Sequence, residues 1–397
     1  MKLRNSEKSI VIVTHDTAST GGPMLAKKLA ESFRQRGYYV AMVSLRKRKE
    51  ITGYSDCCDE MYYADKVFDF IGKAFKYTGR STKKRQDRAV SRVVKKLYRR
   101  GFRQVITNTV VSGDTVAIWK RYGFRVISLI HEMRGACTLF ESEQTIREMG
   151  EYADVIVFPS ELAKKDFLSF TPEMKAQSVI RPQGYYHDFF PETAYEEARV
   201  RLLKQLHLPE KSEFLVGAGT ISFLKGNDLL PLIAKATEDM SNLHFLWMGS
   251  PTDAAYSAHL QAMTERLGVA DRIHYIGFVG DETEYANVLR GCKAFLLTSR
   301  EDTYPSTMLE AAAARLPIVA FDDCGGAHDF LADGCGYLVP YMDTKQYSDV
   351  IRGIVQGVIA TDEVTKKCFL KLKEHFQFDS YTDLLIALLT NQQEGRI

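Results

Sequence analysis

EDTYPSTMLEAAAARLPIVAF, residues 301–321, sets the start of a helix and several acidic groups between two apolar, strand-like runs. Pro305 suits the first helical position, Ser306 and Thr307 leave backbone amides at the positive end of the helix dipole, and the alanines at 311–314 extend the helix until Pro317 stops it. A phosphate can sit on those amides. Glu310, roughly one and a half turns further in, offers only acceptor oxygens when ionised and so can take hydrogen bonds from two neighbouring hydroxyls, such as those of a ribose. Asp302, with Glu301 beside it, stands just outside the helix, where a hexose carried by the phosphate would lie, and Thr303 and Tyr304 join the two positions. A sugar nucleotide fits this pattern. Ordinary strand-helix-strand packing with a solvated surface Glu has the same outline.

The apolar runs on either side, 294–299 and 316–321, belong to a series. In the first half of the chain, β-rich runs at 9–15, 38–45, 61–65, 104–109, 125–131 and 155–160 alternate with helical stretches such as 23–36, which Gly37 closes. The second half repeats the plan at 214–219, 243–250, 273–278, 294–299, 316–321 and 336–340. Parallel strands need crossovers, and the helices supply them. The expected fold class is therefore α/β, with two doubly wound Rossmann-like domains facing each other across a cleft. The Pro- and Gly-rich segment 181–193 marks the boundary, giving domains at 1–185 and 186–376. A final amphipathic helix within 377–397, with Tyr381, Leu384, Leu385, Leu388 and Leu389 as its apolar stripe, is expected to pack back on the first domain.

The 397 residues exceed one ordinary core, and 45% hydrophobic with 26% charged residues is the balance of a soluble globular chain. The basic N-terminus carries only a five-residue apolar run and reads as a first strand rather than a secretory signal. No run reaches the eighteen or so apolar residues of a membrane span. Seven cysteines without metal-ligand spacing point to a reducing compartment, and the adjacent Cys57 and Cys58 read as packing residues.

Ligands of open parallel sheets bind beyond the carboxyl ends of the strands. At the end of the first strand, His15 and Asp16 lead into Ser19, Thr20, Gly21, Gly22 and Pro23, a plausible phosphate loop and equally a tight turn. His131 and Glu132 follow the strand at 125–131, where an imidazole can meet a sugar hydroxyl or a developing charge; a strand-end His satisfied by backbone is the plainer alternative. In the second half, residues 217–226 deliver Lys225 to a strand end, where an ammonium can neutralise a diphosphate. The glycines there lack the third position of a dinucleotide fingerprint, which argues against NAD. Gly277, Phe278 and Val279 follow a further strand and can lie against a nucleobase.

Taken together, Gly21-Gly22, Asn108-Thr109, His131-Glu132, Pro182-Gln183-Gly184, Lys225-Gly226, Gly277-Phe278 and the span from Asp302 to Glu310 resemble the retaining, nucleotide-sugar-dependent glycosyltransferases of family 4, which have the GT-B fold. The resemblance covers nearly the whole chain and implies transfer of a hexose from a UDP- or GDP-sugar to an acceptor hydroxyl with retention of configuration. It implies that Asp302 or Glu301 meets the transferred sugar, Glu310 the ribose, and Lys225 the diphosphate, with His131 aligning the acceptor and Asp16 and Glu132 on the acceptor side. Thr220 stands where many members have Arg, and Leu224 precedes the lysine where others have a second basic residue. No protein nucleophile, cofactor or metal is expected, the departing phosphate itself helping to take the acceptor proton; the chain has no Asp-x-Asp triplet.

Between Lys73 and Arg103 there are thirteen Lys or Arg against Asp87 alone, a local charge of +12 in a chain whose net charge is +3. Val90, Val93, Val94, Leu97 and Tyr98 share one helical face, and Lys83, Lys84, Arg85, Arg88, Arg92, Lys95, Lys96 and Arg99 lie on the other. An anionic membrane surface is the preferred partner, since each basic residue near such a leaflet contributes about 1 kcal/mol; a solvated face is the alternative. The expected setting is the cytoplasmic face of a cell membrane, with a glycan or lipid-linked acceptor in cell-surface polysaccharide or glycolipid synthesis. Few aromatic residues interleave the run, so nucleic acid is not expected to bind. An epimerase on the same architecture and a catalytically silent homologue are the remaining rivals. The number of subunits is not encoded in these motifs.

Overall fold

The structure, a computed structural model, describes residues 8–18, 21–46, 53–64, 79–190 and 194–390, with backbone only for 79–86 and Phe140. In chain order the strands are β1 (Ser9–Thr14), β2 (Tyr39–Ser44), β3 (Glu60–Tyr63), β4 (Gln104–Asn108), β5 (Arg125–Leu129), β6 (Val155–Phe158), β7 (Gln177–Ile180), β8 (Glu213–Ala218), β9 (Leu243–Met248), β10 (Ile273–Gly277), β11 (Ala294–Leu297), β12 (Ile318–Phe321) and β13 (Tyr337–Val339). Helices α1 (Gly21–Gln35), α2 (Gly79–Arg100), α3 (Val116–Arg121), α4 (Arg134–Phe140), α5 (Glu143–Tyr152) and α6 (Glu161–Leu168) fall among the first seven strands. Then come α7 (Tyr195–Leu206), α8 (Leu229–Ala236), α9 (Ala254–Arg266), α10 (Glu282–Arg290), α11 (Ser306–Ala313), α12 (Ala327–Leu331), α13 (Thr344–Val355), α14 (Asp362–His375) and α15 (Phe378–Thr390).

The chain divides into two compact units, Met1–Gln183 with Phe378–Ile397, and Gly184–Gln377. The first holds a seven-stranded sheet in the order β3-β2-β1-β4-β5-β6-β7, the second a six-stranded sheet in the order β10-β9-β8-β11-β12-β13. Every paired strand runs parallel, as in β1 on β4 (Val11 opposite Val105) and β8 on β11 (Leu215 opposite Ala294). Central strands covered by helices on both faces must be apolar along their length. Ile10 to Val13 in the first sheet and Phe214 to Val216 in the second are fully buried. Each fully buried Val, Ile or Leu contributes roughly 1.5–3 kcal/mol, so these strands set the register of their sheets.

Strand order reverses once in each sheet, beside β1 and beside β8. At such a switch point the loops leaving two adjacent strands turn to opposite faces of the sheet and open a crevice beyond the carboxyl ends. In the first unit it lies past β1 and β4, in the second past β8 and β11.

Three local readings are corrected. β7, QSVI at the sheet edge, does not stand out in the sequence because it is only four residues long and half-exposed. Pro305 occupies the cap of α11 with extended ψ of 120°, and Ser306 takes the first helical position; helix ends often shift by one residue. Tyr98 does not join the core face of α2: its ring is 37% exposed and carries the Arg103 guanidinium at 3.8 Å, while Val90, Val94 and Leu97 are buried. Its long side chain reaches past the apolar stripe to the rim.

Helix α15 lies on α1 within the first unit. Ser32 Oγ donates to Thr382 Oγ1 at 3.0 Å, Arg36 pairs with Asp379 (3.0 Å) and Asp383 (2.6 Å), and Arg125 Nε donates to the Leu388 carbonyl at 2.8 Å. Tyr381, Leu385 and Leu389 are buried beneath it, whereas Leu384 and Leu388 are only half-buried.

Two glycines test the close packing at the second switch point. Gly226 (φ +67°) and Gly268 (φ +69°) both take left-handed backbone, but a Cβ on Gly226 would lie 2.0 Å from the Thr298 carbonyl oxygen, while one on Gly268 meets nothing within 4 Å. Alanine at either site brings left-handed strain of roughly 1–2 kcal/mol. Gly226→Ala is therefore expected to lower the urea midpoint well beyond Gly268→Ala, and equal shifts would contradict the packing.

Candidate active site

In the second unit the switch point assembles a charged cluster. β8 ends at Ala218, and the chain turns through Gly219 and Thr220 into a short turn of helix, Phe223–Lys225, closed by left-handed Gly226. Thr298 Oγ1, just past β11, donates to the Lys225 carbonyl at 2.9 Å and fixes the base of that side chain. Lys225 Nζ then forms an ion pair with Asp302 Oδ2, which Ser299 Oγ also approaches at 3.4 Å. Asp302 is held in turn by its backbone, its N–H donating to the Cys324 carbonyl at 2.8 Å and its carbonyl accepting from Gly326 at 3.3 Å. Of the adjacent acids, Asp302 therefore carries the lysine. Thr220 is exposed and the Leu224 carbonyl, next to the lysine, accepts from the Arg300 amide, so Lys225 is the cation that this turn presents to Asp302.

Helix α11 starts directly after this loop, and no side chain caps it, so the amides of Ser306 and Thr307 head its positive end. Glu310 lies on the same helix, its side chain 13% exposed. Tyr285 Oη donates to Glu310 Oε2 at 2.5 Å, and His187 Nε2 stands 3.6 Å from Oε1. Burial raises the Glu310 carboxyl above its ordinary range, while the imidazole and the phenol pull it back. Tyr186, whose hydroxyl bonds the Ser306 side chain, completes the surround, and burial raises its own ionisation. Sequence reading missed Tyr185, Tyr186, His187 and Tyr285. An aromatic stretch, YYH at 185–187, was the available signal.

The other expected donor residues divide. Phe278 is 70% exposed beside left-handed Gly277, whose carbonyl accepts from Gly249 at 2.7 Å, and Val279 packs partly into the core. Glu301 is half-buried. Thr303 and Tyr304 are buried, the Tyr304 ring stacked on Phe376 at 5.7 Å, so that side chain packs instead of reaching outward. The cause is its position in the turn: its ring is the lid of the Phe330–Phe376 cluster.

In the first unit the switch point joins Gly22 to Asn108. Asn108 Nδ2 donates to the Gly22 carbonyl at 2.7 Å, and Asn108 Oδ1 meets His131 Nε2 at 3.0 Å. Gly22 is required there, since a Cβ would stand 2.8 Å from Thr109 Cγ2; Gly21 is uncrowded. Ser19 and Thr20 lie outside the described residues. Glu132 is buried and turned inward: its Oε2 accepts the amides of Val110 (3.0 Å) and His131 (2.9 Å). These bonds hold Thr109 at φ +73°, a costly conformation for a β-branched residue. Asp16, 4% exposed, accepts from the Ala18 amide at 3.0 Å and sits 3.7 Å from His15.

On α2, Arg88, Arg92, Lys95, Lys96 and Arg99 are exposed, and Lys96 Nζ lies over the Tyr62 ring at 4.8 Å. The side chains of Lys83, Lys84 and Arg85 lie outside the described residues. No described helix is long and apolar enough to cross a membrane, and among the described residues no three His, Cys, Asp or Glu side chains are grouped as metal ligands.

Residues 199–365 match the family model described as glycosyl transferases group 1. The chain is 29% identical over 252 residues to a D-inositol 3-phosphate glycosyltransferase of Streptomyces avermitilis, a match covering 59% of this chain and 53% of that protein. It is 28% identical over 192 residues to a mannosylfructose-phosphate synthase of Agrobacterium fabrum, covering 43% and 41%. The chain thus spans about half the length of the curated relatives it matches. Its fold matches the crystal structure of Anabaena HepE in complex with UDP and glucose, with a TM-score of 0.79, 14% identity, and 97% and 100% of the two chains covered. At that identity the likeness shows the fold, two Rossmann-like sheets of the GT-B kind.

Burial pushes the Glu132 carboxyl up to about 7 and the His131 imidazole down to about 4. Glu132 keeps its proton longer in the folded chain, so its contribution to stability falls as pH rises from its ordinary 4.5 through 7. His131 loses its proton earlier in the folded chain, so its contribution grows from pH 4 to its ordinary 6.5. The two oppose each other across the shared window. Urea midpoints measured across pH 4.5 to 6.5 are expected to climb more steeply with pH in Glu132→Gln than in the parent and less steeply in His131→Gln; parallel profiles for all three would contradict these burials.

Proposed function

We propose that this chain is a retaining, metal-independent glycosyltransferase that moves a hexose from a UDP- or GDP-sugar to an acceptor hydroxyl. One observation carries the reading: a lysine, an acid, an uncapped helix start and a second acid follow one another along the second unit's switch point. The group 1 family match over residues 199–365 supports it, as do the likeness to a D-inositol 3-phosphate glycosyltransferase and a mannosylfructose-phosphate synthase and the UDP and glucose in the HepE structure.

Each group has a task set by its chemistry. The amides of Ser306 and Thr307 and the ammonium of Lys225 receive the diphosphate and stabilise the charge that grows on it as the glycosidic bond breaks. Lys225 is neutralised by Asp302 in the free protein. When phosphate takes the ammonium, the Asp302 oxygens are released to accept from hexose hydroxyls, so that one exchange couples charge capture to sugar recognition. Glu310 takes the ribose, and exposed Phe278 lies against the base. On the acceptor side, His131 is held by Asn108 through Nε2, Glu132 shapes its loop from within, and Asp16 shapes the turn after β1. The departing phosphate takes the acceptor proton on the same face, and no side chain forms a bond to the sugar. A lipid-linked acceptor at an anionic cytoplasmic leaflet is the partner that the exposed cations of α2 support.

The exchange at Asp302 has a specific test. Asp302→Asn removes the competitor for Lys225, so UDP or GDP is expected to bind at least as tightly as to the parent, while transfer from the sugar nucleotide falls more than about tenfold, or about 1.4 kcal/mol. The product, read by NMR, keeps the donor's anomeric configuration, and EDTA leaves the rate unchanged. Loss of nucleotide binding in Asp302→Asn, or inversion, would refute the assignment. For the basic face, flotation should show binding to vesicles of anionic lipid and none to neutral ones, with Arg92→Glu, Lys95→Glu and Arg99→Glu together abolishing it; equal flotation with both lipids would rule the membrane out.

A further inference from the structure

Glu310 is gripped from two sides by elements distant in sequence. Tyr285 comes from α10 and His187 from the segment that opens the second unit, and they take separate oxygens of one carboxylate. That segment is itself anchored. The Tyr185 amide donates to the Phe376 carbonyl at 2.7 Å, Tyr185 forms an isolated β-bridge with Gln377, and left-handed Gly184 (φ +76°) lies so close to that segment that a Cβ would stand 3.0 Å from the Phe376 carbonyl oxygen. The far nitrogen of His187, Nδ1, is 3.5 Å from Glu282 Oε1, which orients the ring toward Glu310. An ionised carboxylate has about four acceptor positions. The Tyr285 hydroxyl occupies one here, and the His187 ring beside the other oxygen fixes the direction in which the rest face.

We propose that Tyr285 and His187 are positioning residues that hold Glu310 so that it accepts from both hydroxyls of a ribose, making the site selective for ribonucleoside over deoxyribonucleoside diphosphates. This rests on the assignment of Glu310 to the ribose. A carboxylate free to rotate would keep one hydrogen bond to either sugar and discriminate weakly. One bonded at one oxygen and flanked by an imidazole at the other loses a whole charge-assisted bond when a hydroxyl is missing. Tyr285 is a fitting anchor because its phenol stays protonated, burial and the neighbouring carboxylate both raising its ionisation. His187, 25% exposed, is the more replaceable of the two.

Calorimetric titration of the full chain with UDP, GDP and ADP, each beside its 2′-deoxy form, tests the proposal without requiring an acceptor. The parent is expected to prefer the ribonucleotide of its best-bound base by about tenfold or more, the effect of one hydrogen bond to a charged group. Tyr285→Phe and His187→Gln should each weaken the ribonucleotide while leaving the deoxynucleotide within about twofold, so that the preference shrinks severalfold. Equal weakening of both forms, or no change in either, would show that the two residues only fill space and overturns the proposal. Glu310→Gln separates this failure from failure of the underlying assignment: a parent without ribose preference, or Glu310→Gln that keeps it, removes Glu310 from the ribose and the proposal with it. If Tyr285→Phe does not fold, His187→Gln decides alone.

Discussion

The reversal of strand order beside β8 is the constraint on which the rest depends. Because β8 is flanked by β9 on one edge and by β11 on the other, residues 219–226 and 298–302 emerge side by side and turn to opposite faces of the sheet. Lys225 meets Asp302 across 77 residues of chain for this reason alone. Gly226, pressed against the Thr298 carbonyl, and Thr298 Oγ1, bonded to the Lys225 carbonyl, lock the two loops together. Packing that excludes even a methyl group thus places a charge where an anion can use it.

The first unit solves the same problem with neutral parts. Its reversal lies beside β1, where Asn108 bridges Gly22 to His131 and Glu132 holds a strained Thr109 from beneath. No lysine stands among these groups, and the imidazole and carboxyl are both driven toward their uncharged forms by burial. Such a surface suits hydroxyl recognition. The second unit, with its ammonium and uncapped helix, suits phosphate.

Much of this was legible in the sequence, because the relevant signals are local. Twelve of the strands stand out as apolar runs between turn residues, and β7 does not because an edge strand of four half-exposed residues carries little pattern. Lys225, Asp302 and Glu310 could be named from strand ends and helix starts. What the sequence could not show was pairing. Whether Glu301 or Asp302 takes the lysine depends on which carboxylate the turn at Cys324 to Gly326 leaves facing β8. Tyr285 and His187 reach Glu310 only through tertiary packing, and the inward turn of Glu132, with two amides on one oxygen, is a backbone matter that no motif records. Tyr304 shows the opposite error: a polar-tipped residue in a functional loop whose ring belongs to the core.

A crystal structure of the chain with its nucleoside diphosphate would test the account most directly. The account places the diphosphate on Lys225 Nζ and the amides of Ser306 and Thr307, with the Lys225–Asp302 pair opened and both ribose hydroxyls on Glu310. A nucleotide bound elsewhere, or one bound there with the ion pair still closed and the ribose turned from Glu310, would contradict it.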